Sequence, residues 1–186
     1  MKWLSCFVSV VGLLIFQRGI DMPVKVTFSG HNLRKIAKTP KSSSVAAGFF
    51  EDSKYPDGTQ VAQVATWNEY GATLPVYTYS KEKGNLTSVV IPPRPFMEMA
   101  FVENHNKWAK YIQQESARQL KKNGNIDCNS ILVAVGEMMQ AAIRGSIVNG
   151  NFTPNAPSTI AKKGKDTVLR DSVRMLNSVN YQVVKK

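Results

Sequence analysis

The chain has 186 residues, enough for one domain or one domain with a tail. Hydrophobic residues make up 43% and charged residues 20%, which supplies a core and excludes disorder along most of the length. Twenty-four Lys and Arg stand against 13 Asp and Glu, and the net charge of +11 favours an anionic partner, nucleic acid first, while saying nothing about fold. Two cysteines, Cys6 and Cys128, exclude a disulfide scaffold.

Residues 1–21 differ from the rest. Lys2 precedes an apolar run of 14 residues, WLSCFVSVVGLLIF, too short for a membrane span of about 20. The run suits the apolar region of a signal peptide, yet no small-x-small cleavage site follows it. Three readings stay open: an upstream in-frame extension with Met22 as the natural start, a signal or anchor, and a structural arm. Without residues 1–21 the balance is 22 basic against 12 acidic residues, +10, so the basic character belongs to residues 22–186, read as a single α+β domain.

From Met22 onward, β and α patterns alternate. Val24-Lys25-Val26-Thr27-Phe28 has a two-residue period and predicts a half-buried strand. A short helix is expected over residues 32–38, broken by Pro40 and the serines after it. Val45 to Phe50 reads as a second strand, and Pro56-Asp57-Gly58 as a tight turn with glycine at the positive φ. Residues 60–70 predict a short helix stopped by Gly71. Residues 72–88 read as a long hairpin or flexible loop, with arms at 76–79 and 87–90. Pro92, Pro93 and Pro95 then impose a stiff extended lead into the next helix.

Two long helices follow. The first, residues 97 to about 122, places Met97, Phe101, Trp108, Ile112 and Leu120 near one face, with Gly124 as its stop. The second, residues 127 to about 148, gathers Ile131, Val135, Met138, Met139, Ala142 and Ile143 on one stripe. After Pro154-Asn155-Ala156-Pro157, one helical turn is expected at 158–161, capped by Ser158. A basic loop (Lys162-Lys163-Gly164-Lys165), a short helix at 171–175 and a closing strand at 178–184 complete the reading.

The residues offer little chemistry. Phosphate-binding glycine loops of the GxGxxG or GxxxxGKS kind are absent. His31 and His105 form no CxxC or HxxxH pattern with the cysteines, so neither a metal site nor a cofactor is expected. Glu51, Asp52 and Glu69 read as solvated surface carboxylates. His105 lies mid-helix among polar neighbours and reads as a surface or packing histidine. Met138 and Met139 read as core or subunit contact. No catalytic residue emerges. Basic residues cluster at Arg34, Lys35, Lys38 and Lys41, and again at Lys162, Lys163, Lys165, Arg170 and Arg174. Such clusters serve solubility or face DNA without reading its sequence.

Several blocks carry a resemblance. They are Gly48-Phe49-Phe50-Glu51, Pro56-Asp57-Gly58, Val61-Ala62-Gln63-Val64-Ala65, Asn68-Glu69-Tyr70-Gly71 and Ile91-Pro92-Pro93-Arg94-Pro95-Phe96. With Pro154 through Gly164, and Asp166-Thr167-Val168-Leu169-Arg170-Asp171-Ser172-Val173, they resemble the small tail-completion and neck proteins of long-tailed bacteriophages and prophages. Val168 stands where that family carries glycine. The blocks span residues 48–173; the run before Met22 has no counterpart, which favours the extension reading.

The resemblance implies a non-enzymatic virion protein at the head–tail junction, assembled in the host cytoplasm. It further implies a homo-oligomeric ring, a hexamer by expectation, whose partners are other neck, tail-tube or connector proteins, with DNA met non-specifically and no membrane in the mature form. The implied fold is α+β, a small mostly antiparallel sheet packed against two long helices. The sheet is expected to take in 24–28, 45–50, the 76–90 hairpin and 178–184, with the hairpin as a long arm for reaching a neighbouring subunit. Tyr77, Tyr79, Lys81 and Lys83 are its assembly residues. Arg94, Lys162, Lys163 and Lys165 are the expected partner- or DNA-facing residues. Phe96 is expected to bury against the sheet, and Arg94 to bond carbonyls or an acidic group. The alternative is a small secreted or membrane-anchored protein that uses residues 1–21 as signal or anchor.

Overall fold

A computed structural model describes residues 24–27, 43–50, 53–77, 86–164, 166–170 and 173–185. In chain order these form β1 (Val24–Thr27), β2 (Ser43–Gly48), α1 (Val61–Tyr70), β3 (Ala72–Tyr77) and β4 (Leu86–Ile91). Then come α2 (Phe96–Asn123), α3 (Cys128–Asn149), α4 (Pro157–Lys163), α5 (Arg174–Ser178) and β5 (Asn180–Lys185). The fold is α+β, with antiparallel sheets and two long helices. The helix expected at 32–38 lies outside the described residues.

The core is organised around α3. Its buried residues, Cys128, Ile131, Leu132, Val135, Gly136, Met139, Ile143 and Ile147, spread over roughly 160° of arc at 100° per residue. A helix resting on one surface needs a stripe of about 100°. The wider stripe lets α3 pack against β2 and β5 and also against α2. Gly136 marks the close approach to the sheet, because a Cβ there would lie 2.3 Å from the Tyr181 ring. By length and composition α3 could cross a membrane; in this fold its stripe is filled by protein.

The long helices begin and end where the sequence places them. Asp127 caps α3 by accepting from the backbone N–H groups of Asn129 and Ser130. Its own N–H donates to Gln119 Oε1 at 2.8 Å, which ties the end of α2 to the start of α3. On α2, Met97, Trp108 and Ile112 are buried as expected and Phe101 is half-buried, but Leu120 is 39% exposed. Eight residues at 100° each leave Leu120 about 80° round from Ile112, outside the contact. Ser116 is buried on that turn instead.

The sheet differs from expectation. Strands β1, β2 and β5 form one antiparallel sheet in the order β1-β2-β5, with Val24 opposite Ala47 and Gly48 opposite Asn180. Strands β3 and β4 form a separate two-stranded sheet, paired from Ala72–Ile91 to Tyr77–Leu86. The hairpin is therefore not part of the core sheet, and its pairing begins directly at the end of α1. Pro75 is tolerated there because each strand of a two-stranded sheet has one unpaired edge, where a missing donor breaks no ladder bond.

Near the C-terminal end, α4 starts at Pro157, with Ala156 rather than Ser158 at the cap. Proline suits the first helical turn, whose N–H groups lack partners in any case. The helix continues through Lys163, so Lys162 and Lys163 belong to its last turn and not to a loop. The short helix lies later than expected, at Arg174–Ser178, where Ser178 donates its hydroxyl to Arg174 O, and β5 begins at Asn180.

Phe96 is fully buried and meets Phe49, just beyond β2, edge to face at a centroid distance of 6.0 Å. Phe96→Ala should cost about 3–5 kcal/mol, read by urea denaturation. An unchanged midpoint would overturn this assignment of the core.

Candidate functional site

The end of α1 and the start of α2 meet at two charged side chains. Glu69 lies on the last turn of α1 and Arg94 on the proline segment that leads into α2. Gly71 makes the meeting possible. With φ at +78° it turns the chain out of α1, and a Cβ there would lie 3.2 Å from Pro93 Cδ. Pro92 and Pro93 return the chain from β4 against α1, and the Arg94 N–H donates to Asn68 O at 2.6 Å.

The Arg94 side chain is 6% exposed and turned into the protein. Its Nε donates to Thr153 O at 3.0 Å, and Nη1 donates to Asn68 Oδ1 at 3.0 Å. Nη2 donates to Pro154 O at 3.3 Å and to Asn155 Oδ1 at 3.4 Å. Asn155 in turn donates both its backbone N–H and its Nδ2 to Asp166 Oδ1. One guanidinium thus joins α1, the proline segment and residues 153–155. Burial lowers the Arg94 pKa from its ordinary value, and the negative charge of Asp166 opposes that shift.

Glu69, read from sequence as a solvated carboxylate, is only 4% exposed. Its Oε2 accepts from the Met97 N–H and its Oε1 from the Glu98 N–H, both at 2.9 Å. The reason lies in α2 itself. Pro95 occupies its N-cap position and makes no side-chain cap bond, so the first N–H groups of α2 need an acceptor from elsewhere. Glu69 provides it, where the helix dipole also favours negative charge. Burial still raises the Glu69 pKa above 4.5, against the lowering effect of the two backbone donors. Tyr70 beside it is also raised, by burial and by the charges of Glu69 and Glu98.

The other sequence-derived residues are not brought to this junction by the described geometry. Lys162 and Lys163 close α4 and Tyr77 ends β3, their backbones alone being described. Tyr79, Lys81, Lys83 and Lys165 lie outside the described residues, as do Glu51 and Asp52. His105 is half-buried and stacks on Phe101, in keeping with a packing role. Glu69, Asn68, Asn155 and Asp166 were missed as a group. The legible signal was the proline before a long helix with no Ser, Thr, Asp or Asn to cap it. Comparison of the chain with family models, with curated proteins and with solved structures finds no match.

The raised Glu69 pKa fixes a sign. For this group, stability is fully present below pH 4.5 and is lost as pH rises through the higher folded-state value. Glu69→Gln should weaken the cap by about 0.5–2 kcal/mol. The stability gap between wild type and variant should then narrow as pH rises above 4.5. Thermal melts across that range check it; a constant gap would show that Glu69 titrates normally.

Proposed function

We propose that the chain is a non-enzymatic structural subunit of a long-tailed phage or prophage particle. In this reading it is a ring-forming neck or tail-completion component that joins tail to head. The motif blocks between residues 48 and 173 give the class. The observation that carries the assembly role is the β3–β4 hairpin. A two-stranded hairpin alone is marginal in water, and this one pairs with no strand of the core sheet among the described residues. Val89 and Val90 are 48% and 69% exposed. As neighbours in a strand they project to opposite faces, so neither face is closed by the chain's own packing at that point.

Such an arm gains stability by adding its edge to another sheet. A head-to-tail contact of this kind closes into a ring when the rotation between subunits allows it. The expected occupants are the next copy in a hexamer, or a neck, tail-tube or connector protein. The junction of Glu69 and Arg94 fixes the root of the arm against α1 and α2. The test is deletion of residues 81–85, in the chain between β3 and β4. The variant should remain a folded monomer by circular dichroism and sedimentation, and should fail to form particles. Normal infectious particles from it would overturn the assembly role.

The same reading places DNA near the ring bore, with the basic end of α4 and Lys165 as the expected contact. Phosphate neutralisation needs no base-specific geometry and weakens steeply with salt. Replacing Lys162, Lys163 and Lys165 by Gln should give particles that lose tails or leak DNA while the subunit still folds. Wild-type tail joining and DNA retention would remove this contact from the proposal.

A further inference from the structure

Strand β5 ends the core sheet, and its outer edge is open. In the order β1-β2-β5 it pairs only with β2 among the described residues. The Tyr181 N–H donates to the Asn180 side chain at 2.9 Å rather than to β2. In an antiparallel pair each residue aims its N–H and C=O to one side, and the side alternates along the strand. Asn180, Gln182 and Val184 therefore bond β2, while Tyr181, Val183 and Lys185 turn their backbone groups outward. Such a row of unpaired groups is a template for a further strand.

The hairpin carries the matching edge. Proline has no N–H to give, so the Pro75–Ser88 pair is the kind that exchanges no hydrogen bonds, and its backbone groups face outward. Pro75 thereby leaves a gap among the donors on the outer side of β3. On β4 the same alternation sends the backbone groups of Leu86, Ser88 and Val90 outward, with no proline among them. Ser88, Val89 and Val90 are all exposed. The open edges of β4 and β5 thus offer equal sets of outward residues at two-residue spacing, on strands of six residues each.

We propose that β4 of one copy adds to the outer edge of β5 in a second copy, antiparallel as are the pairings within the chain. The result is one sheet across the boundary, in the order β1-β2-β5-β4-β3. One register uses every outward residue: Val90 opposite Tyr181, Ser88 opposite Val183, and Leu86 opposite Lys185. In it Val90 lies against half-buried Tyr181, on the face that α3 covers at Gly136. Val89 falls on the other face, opposite Gln182 and diagonal to Val184, which is 43% exposed. Three exposed valines gain cover that neither edge finds within its own copy. Both complementary edges belong to this chain, so the occupant is a second copy, each copy giving one edge and accepting another. The proposal rests on the reading of the hairpin as an assembly arm and names the edge that receives it.

The test is cysteine cross-linking of the full chain in a Cys6→Ser background, Cys128 being buried. In this register Val89 and Gln182 form a non-hydrogen-bonded pair with Cα atoms about 4.5 Å apart, within disulfide reach. Both are exposed, so Val89→Cys with Gln182→Cys should melt as the background protein does. Under copper-phenanthroline oxidation this double variant should give a ladder of covalent dimers, trimers and larger species on non-reducing gels. Val90→Cys with Gln182→Cys puts the thiols on opposite faces and should leave monomers. The proposal is overturned by no ladder from the first variant or by equal ladders from both. Dimers from Gln182→Cys alone would set β5 against its own copy and overturn it as well. Deletion of residues 81–85 separates this from the broader reading. Particles lost on deletion, with no ladder here, would keep the arm and reject β5 as its acceptor; normal particles and no ladder would reject both.

Discussion

The N-terminus of α2 depends on a carboxylate borrowed from another helix. Pro95 stands at the cap and makes no side-chain cap bond, yet the helix begins inside the protein, with Phe96 and Met97 buried at once. Backbone N–H groups buried without acceptors would oppose that arrangement. Glu69 resolves it by accepting from Met97 and Glu98. For the carboxylate to reach, α1 must end against the proline segment. Gly71, Pro92 and Pro93 make this possible sterically, and Arg94 holds the segment by bonds to Asn68 and residues 153–155. The joint sets where α2 begins against α1, while the packing of α2 on α3 and of α3 on the sheet rests on the buried stripe of α3.

The acid and the base at the joint are not an ion pair. Glu69 satisfies backbone donors and Arg94 satisfies carbonyl and amide acceptors. Burial acts on both in the expected direction, raising the acid and lowering the base. Each charge is held mainly by hydrogen-bonding dipoles, with Asp166 adding an opposite charge near Arg94, so loss of either side chain leaves orphaned polar groups and not merely a missing salt bridge. That asymmetry makes a buried network costly to interrupt.

Much of the helical architecture was legible because its determinants are local. Val61, Ala62 and Ala65 recur at helical spacing and are buried, and Gly71, Gly124 and Gly150 end their helices where the pattern stops. Asp127, expected as the first residue of the second long helix, stands one residue ahead of it as its cap. The misses fall where the decisive partner is remote. Glu69 looked solvated because acids usually are; only the unmet donors of α2, 28 residues along, draw it inside. The hairpin looked like part of one sheet because alternation specifies a strand but not its neighbour. Leu120 fell off its face because a stripe drawn over a 28-residue helix outruns the packing contact. Arg94 was readable as a residue that bonds carbonyls, while its commitment to the interior required the 153–155 segment to be in place.

If the hairpin is the assembly arm proposed above, the joint governs how it acts at a distance. Six residues per strand at about 3.3 Å each carry the paired part of the arm about 20 Å from its root. A change of about 10° at the root would move its end by about 3–4 Å, most of the spacing between neighbouring strands. Strand addition between subunits tolerates little of that, because a slip of one residue turns every side chain to the other face. A ring repeats the same contact at every subunit, so an angular error in one copy recurs in all and prevents closure. For the ring proposed above, stiffness at the root therefore counts for more than affinity at the tip. Proline-fixed φ angles at 92, 93 and 95, a glycine turn at φ +78° set closely against Pro93, and a guanidinium joined to two separate segments stiffen the chain where the hairpin leaves the body.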